Sequence, residues 1–311
     1  MIPRILLIGT GLCCIVILVH GCSDVPTAVP CPTSSDDVSN SGDSSINGDG
    51  DSSSVCASGC DDGDDCTVDT CDPVKGCQHA AVTCTDGQVC ARALATDPTL
   101  MGRWKMDNCD GRDSGPHGLN ATMHGTLGCI AGAEGNGLAL DGTTTWLDVE
   151  NQPPLDVTLT ELSMGGWARG NNTTDYTILV NKEESFEMGY VSGQIASAIA
   201  IQNPNGWAWF SKGDFSQQTW HHVVVTYDGK QVTHFVDGVQ VAQTARTGTI
   251  ARTACRLSLG ARGEECSGAG KFVWRGDLDE MFVFSRALTA AEIKRIGSKA
   301  ANAWTGGCVS P

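Results

Sequence analysis

The chain has 311 residues, 41% of them apolar and 6% aromatic, with 38 glycines. That is enough apolar content for at least one packed core, and the glycine content suits a turn-rich β protein better than a helical one. The formal charge of −16 at pH 7 argues against nucleic acid as a partner, because phosphate contacts need the opposite sign.

The chain opens "MIPRILLIGTGLCCIVILVHGCSD", with one Arg and an apolar run from Ile5 to Val19. Fifteen residues are short for a membrane span and right for the apolar region of a signal peptide. The ending, Val19-His20-Gly21-Cys22, resembles the lipobox of bacterial lipoproteins, although His20 is unusual there. The resemblance implies a lipoprotein signal peptide over 1–21 and a lipid on Cys22, which becomes the first mature residue. It also places the protein in a bacterial cell envelope, at the outer membrane or cell surface, with the membrane as a partner through that lipid. Ordinary secretion and an uncleaved anchor are the alternatives.

Residues 22–55 are mostly Ser, Asp, Gly and Pro, which cannot bury enough surface to offset chain entropy; a disordered acidic linker is expected. From Cys22 to Pro98 there are fourteen Asp, no Glu and two basic residues, Lys75 and Arg92, so −12 of the −16 lies here. "NGDGDSSS" lacks the later glycine-to-glutamate spacing of an EF-hand loop. Residues 56–92 hold seven cysteines, "CASGCDDGDDCTVDTCDPVKGCQHAAVTCTDGQVC" over Cys56–Cys90. Such density in a segment too small for a core marks a disulfide-stapled module, and the spacings fit no common zinc pattern. An odd count sends one cysteine outside, to Cys31 or Cys308, and Cys31 is the candidate for a cysteine left unpaired. The stretch "DGDDCTVDTCDPVKGC" resembles short cysteine-rich repeats of myxobacterial surface proteins.

From Leu100 to about Ile296 short alternating runs recur between turn signals: "LALDGTTTWLDV", "LSMGGWA", "YTILVNK", "FEMGYV", "WAWFSKG", "WHHVVVTYDG", "THFVDGVQVAQT", "LSLGAR" and "GDLDEMFVFSRAL". This spacing predicts an all-β, two-sheet antiparallel sandwich. One helix is expected in "TAAEIKRIGS", with Thr289 as its cap, Glu292 completing a capping box and Gly297 as a stop. In "TWHHVVVTYDG" the adjacent His221 and His222 point to opposite faces of a strand and cannot easily share one ion.

Five pieces then resemble, in order, the laminin-G-like, concanavalin A-like jelly roll of bacterial extracellular proteins: "LMGRWKMDNCDGRDSGPHGLNATMHG", "GNGLALDGTTTWLDV", "LSMGGWARG", "TWHHVVVTYDGKQVTHFVDGVQVA" and "GDLDEMFVFSRALTAAEI". The resemblance implies a jelly roll over 99–297, first and last strands side by side, followed by a tail over 298–311. It makes the histidine pair structural, with Trp220 as a core anchor. Two cysteine pairs fit such a fold, Cys109 with Cys129 and Cys255 with Cys266.

Laminarinase-type glycoside hydrolases share this sandwich and carry acids in E-x-D-x-(x)-E on one strand. "GDLDEMF" and "KEESFEMG" do not reproduce it, and no nucleophile elbow, metalloprotease helix or phosphate loop is present. We assign no catalytic residue. Trp207 and Trp209, two apart on one strand, are the candidate ligand platform, with a buried core pair as the alternative. Calcium, a structural ion of many related jelly rolls, is the expected cofactor, with Asp113, Asn120, Asp141 and Asp279 as its candidate ligands. The expected role is non-catalytic recognition of an extracellular glycan or a surface protein. A passive coat lipoprotein is the alternative, and a degenerate laminarinase-type hydrolase the third reading.

Overall fold

The computed structural model describes residues 56, 59–62, 66–84, 88–171, 176–202, 206–264, 266, 269–300 and 303–309. The signal segment, Cys22, the acidic linker and Cys31 lie outside the described residues.

The cysteine-rich module contributes β1 (Thr67–Asp72), β2 (Gly76–Ala81) and β3 (Val89–Ala91). β1 and β2 form an antiparallel hairpin, and Cys56–Cys71, Cys60–Cys77 and Cys66–Cys90 staple the module together. The sandwich follows with β4 (Leu100–Trp104), β5 (Thr122–His124), β6 (Gly128–Ala131), β7 (Asn136–Asp141), β8 (Trp146–Val149) and β9 (Leu162–Gly170). Next come β10 (Tyr176–Lys182), β11 (Phe186–Val191), β12 (Gln194–Ile201), β13 (Gly206–Asp214), β14 (His221–Tyr227), β15 (Gln231–Val236) and β16 (Val239–Ala245). The chain closes with β17 (Leu257–Leu259), β18 (Arg262–Glu264), β19 (Ala269–Lys271), β20 (Arg275–Phe284), helix α1 (Ala290–Ile296) and β21 (Gly307–Val309).

Two antiparallel sheets make the expected jelly roll. One has seven strands, in the order β13-β12-β11-β10-β17-β8-β5. The other has eight, β16-β15-β14-β9-β20-β7-β6, with β4 added to β20, so the first and last long strands of the sandwich lie side by side. The turn between β15 and β16 shows how local sequence sets register: Asp237 and Gly238 both have positive φ, 51° and 75°, as a two-residue type I′ hairpin turn requires.

Alternation along β14 divides the interior. Val223, Val225 and Tyr227 join the main core between the sheets, whereas Val224 faces a second cluster under α1, with Leu100, Phe235, Phe282, Phe284, Ile293, Ile296 and Trp304. Helix α1 starts on the predicted capping box: Glu292 N–H donates to the Thr289 hydroxyl, and Thr289 N–H donates back to the Glu292 carboxylate at 2.7 Å.

One expectation is corrected. Trp220 is not a core anchor; it is half-buried, with the Arg169 guanidinium 4.9 Å from its ring centre. Trp104 and Trp274 are the fully buried tryptophans. Within the C-terminal tail, Trp304 is buried against Phe282 and Phe284, β21 pairs with β3, and Cys308 is bonded to Cys84. Thus Cys308, and not Cys31, receives the odd cysteine of the module. Constraining a loop of this length contributes roughly 3–5 kcal/mol.

His222 is fully buried between Trp167 and Phe282, and neither ring nitrogen has a hydrogen-bond partner. Burial pushes its pKa down to about 4. A depressed histidine favours the unfolded chain as soon as the unfolded ring begins to protonate, so its contribution to stability is present above pH 6.5 and is lost as the pH falls toward 4. Wild type is therefore expected to lose more denaturant stability between pH 7 and pH 5 than His222→Leu does; equal losses in the two proteins would remove His222 from this role.

Candidate ligand groove on the seven-stranded sheet

The site begins with an alternation in β12. Ile195, Ile199 and Ile201 enter the core, and Ala196, Ala198 and Ala200 lie on the opposite face of the strand, themselves buried under their neighbours. On the neighbouring edge strand, Ala198 pairs with Trp209 and Ala200 with Trp207. Phe210, pointing the other way, packs on the core and fixes which face the tryptophans take. Small alanine side chains leave a flat floor beside two large rings. Trp207 is half-buried, whereas Trp209 is 42% exposed.

Two aromatics absent from the sequence expectation complete the wall. Tyr176, at the start of β10, meets Trp209 edge-on with ring centres 5.5 Å apart. Phe272, held at φ 50° after β19 and 44% exposed, meets Tyr176 at 4.6 Å. Tyr176, Val191, Ala196, Trp209 and Ser211 line a cleft of about 310 Å³. No periodic signal marks Tyr176 or Phe272 as partners of Trp209, because they arrive from different hairpins.

Farther across the same face, the β18–β19 hairpin lies over a polar network. Arg262 grips Glu183 with two bonds of 2.9 Å and approaches Glu187 at 3.6 Å. The Asn181 amide donates to Glu187 at 2.6 Å and to Glu183 at 3.2 Å, and its oxygen accepts from Gly263 N–H. The Tyr176 hydroxyl donates to Glu187 at 3.1 Å. Every oxygen of the two carboxylates has a partner, and Glu187 has no solvent exposure. Burial pushes Glu187 up to about 7 against the pull of Arg262, and raises the Tyr176 hydroxyl, with the Glu187 charge adding to the effect.

The four calcium candidates do not form one site. Asp113 knots its own loop, accepting from Arg103, Gly115 and Leu119 N–H groups at 2.7–2.9 Å, while the Asn120 oxygen accepts from Asp113 N–H. Asp141 caps the turn before β8 through Thr143, Thr144 and Thr145. Burial raises its pKa, but those bonds outweigh burial and hold the carboxyl far below the usual range. Asp279 is different. It is fully buried on β20, one oxygen accepts from Glu134 N–H at 2.9 Å, and the other has no partner. Glu134 Oε1 is likewise buried and unpartnered. Burial pushes Asp279 up to about 7. A Cβ on Gly132 would come within 2.5 Å of the Asp279 carboxylate, so only glycine lets that loop approach so closely. Sequence alone grouped acids whose oxygens, in Asp113 and Asp141, are taken by nearby backbone.

The histidines do not act together. His221 bonds Ser216 and Asp237 on one side of the strand, and His222 is sealed on the other. Cys109 is bonded to Cys129, and Cys255 to Cys266, the latter bond tying the tip of the β18–β19 hairpin.

A carboxyl group raised on folding favours the protonated native state, so the Glu187 contribution is present below its unfolded value and is lost as the pH rises through about 7. Glu187→Gln, which keeps the hydrogen-bonding shape, is expected to gain stability relative to wild type more at pH 8 than at pH 5 in urea titrations. A difference independent of pH would contradict the assignment.

Residues 141–294 match the family described as the Concanavalin A-like lectin/glucanases superfamily, and residues 59–82 match the Dictyostelium (slime mold) repeat. No curated protein matches the chain. Among solved structures, the receptor binding domain of botulinum neurotoxin C/D mosaic serotype has a TM-score of 0.53 at 11% identity, over 64% of this chain and 51% of that one. The binding domain of Paraclostridial Mosquitocidal Protein 1 has a TM-score of 0.52 at 12% identity, over 64% and 52%. The binding domain of Botulinum Neurotoxin DC in complex with SialylT has a TM-score of 0.50 at 10% identity, over 64% and 51%. The chain thus spans about half the length of each of these structures, and at such identities the likeness is one of fold. With the five motifs, the two sheets and these matches together, the chain carries a concanavalin A-like, laminin-G-like jelly roll preceded by a cysteine-rich repeat.

Proposed function

We propose that the protein is a non-catalytic recognition module whose jelly roll binds an extracellular glycan in the groove of Trp209, Tyr176 and Ala196. The observation that carries this reading is the exposed Trp209 ring beside an alanine floor. Here the exposed Trp209 ring lines a cleft together with Tyr176, and apolar clefts with a few polar groups are where small ligands bind; an aromatic face suits the C–H face of a sugar ring. Its volume lies at the lower end for small-ligand sites. Support also comes from three solved domains of this fold, which are binding domains by their own descriptions, one of them in complex with SialylT.

A catalytic reading has less support, since Glu183 and Glu187 have all their oxygens engaged under a hairpin. For calcium the support lies with Asp279 and Glu134, each of which has a buried oxygen without a hydrogen-bond partner, the hard donor such an ion takes. There it would order the loop around Gly132. The lipid on Cys22 remains part of the proposal, supported by the Val19-His20-Gly21-Cys22 sequence. It would hold the module at the envelope surface, with the acidic linker as spacer.

Full-length protein with its disulfides oxidised is expected to bind one class of glycan on a polysaccharide panel. Trp209→Ala should weaken binding at least about tenfold, in keeping with the loss of a stacked ring, and Val239→Ser, exposed elsewhere, should leave it unchanged. If calcium supports the fold, chelator lowers the melting temperature. Silence across the panel with and without calcium would shift the reading to a protein partner or a passive coat. In a bacterial host, Cys22→Ser is expected to move the protein from the membrane to the soluble fraction; unchanged membrane retention would refute lipidation at Cys22.

A further inference from the structure

The cysteine-rich module holds a donor set that the proposed function does not use. In the β1–β2 hairpin Asp69 and His79 are directly paired across the strands. Asp62 joins them from the preceding loop, its N–H donating to Asp69 Oδ2 at 2.9 Å and its Oδ1 accepting from the Thr67 hydroxyl at 2.9 Å. His79 Nδ1 then lies 2.7 Å from Asp69 Oδ1 and 3.2 Å from Asp62 Oδ2. The Cys60–Cys77 bond ties the segment before Asp62 to the strand that carries His79.

Among the described residues, only one other group of three such donors converges as closely, Cys56, Cys60 and Cys77. Those sulfurs are committed to disulfides. The histidine cluster is not merely an acidic patch: an imidazole nitrogen and two carboxylate oxygens lie within 4.8 Å of one another, and partial exposure of Asp62 and His79 leaves the remaining coordination positions to water. In a tetrahedral site with bonds of about 2.0–2.2 Å, neighbouring donor atoms are about 3.3–3.6 Å apart. The 3.2 Å spacing between Asp62 and His79 is already close to this range, and the 2.7 Å spacing between Asp69 and His79 has to open by about 0.6–0.9 Å, through rotation of the two side chains.

We propose that Asp62, Asp69 and His79 form a binding site for a divalent transition-metal ion, with zinc as the best match and water completing the shell. The imidazole separates this site from a calcium site, since calcium takes oxygen donors while imidazole suits zinc and its neighbours. Bound there, the ion cross-links the loop to the hairpin in a module without a hydrophobic core. The proposal is independent of the groove on the jelly roll.

The test uses the protein with its disulfides intact and every remaining thiol, Cys31 included, blocked by alkylation, dialysed against chelator and then titrated with Zn²⁺ or Co²⁺. Saturable uptake of one ion per chain is expected, with visible Co²⁺ bands typical of four-coordination. His79→Gln and Asp69→Asn should each weaken uptake at least about tenfold, while Asp110→Asn leaves it unchanged. Non-reducing mass analysis and near-ultraviolet dichroism establish that the variants keep their disulfides and fold. No saturable uptake, or uptake unchanged in His79→Gln, overturns the site and leaves the three side chains as a hydrogen-bonded ion cluster only.

Discussion

The architecture depends on burial of strand β20 on both faces. It pairs with β9, β7 and β4, and its side chains serve two cores: Leu278, Met281 and Val283 enter the space between the sheets, while Phe282 and Phe284 face α1. A regular strand could not give this sequence, because Leu278 and Met281 are three apart and would point to opposite faces. The irregularity at Glu280, with φ 48° and a register shift between Asp279 and Phe282, restores the phase. A bulge of this kind re-aims side chains at the cost of one unpaired position. That position is stabilised by Arg103, which bonds Glu280 at 2.7–2.8 Å and stacks 3.8 Å from the centre of Trp304.

From that strand the termini are drawn together. Arg286, two residues past β20, bonds both Asp97 before β4 and Glu292 in the capping box of α1. Trp304 closes over Phe284, its backbone oxygen accepts from Leu94 and Ala95 N–H groups, and Cys308 reaches Cys84. The disulfide module is thereby fixed to the jelly roll through the C-terminal segment, which explains why its seventh cysteine is useful: it is the covalent link between two otherwise separate stabilising devices, staples in the module and apolar packing in the sandwich.

Local signals carried most of the fold. The Asp237-Gly238 turn, the Thr289–Glu292 capping box and the alternation of β14 each state their conformation within a few residues, and the structure follows them. What required the third dimension was partnership. Trp207 and Trp209 are visibly on one face of a strand, but the sequence does not say that Ala198 lies beside them or that Tyr176 leans over from β10, where the register shifts between Ile178 and Val180. The acidic residues mislead for the opposite reason. An aspartate beside glycine or threonine reads equally well as an ion ligand or as a turn cap, and in Asp113 and Asp141 short-range backbone donors take the oxygens. Trp220 was misassigned in the same way: its neighbours on β14 are core residues, yet the ring itself ends up stacked under Arg169 at the margin.

The position of the proposed groove follows from how each sheet uses its outer face. The eight-stranded sheet covers much of its own with α1 and Trp304, so that face is structural. The seven-stranded sheet is covered in its middle by the β18–β19 hairpin, where Arg262 neutralises Glu183 and Glu187 and Cys255–Cys266 ties the tip down. Two acids buried there without Arg262 would repel one another and draw water inward, so the hairpin and the network depend on each other. Coverage ends toward the β12–β13 edge. There Ala196 is too small to fill the cleft beside it, and Trp209 and Tyr176 stand at its border.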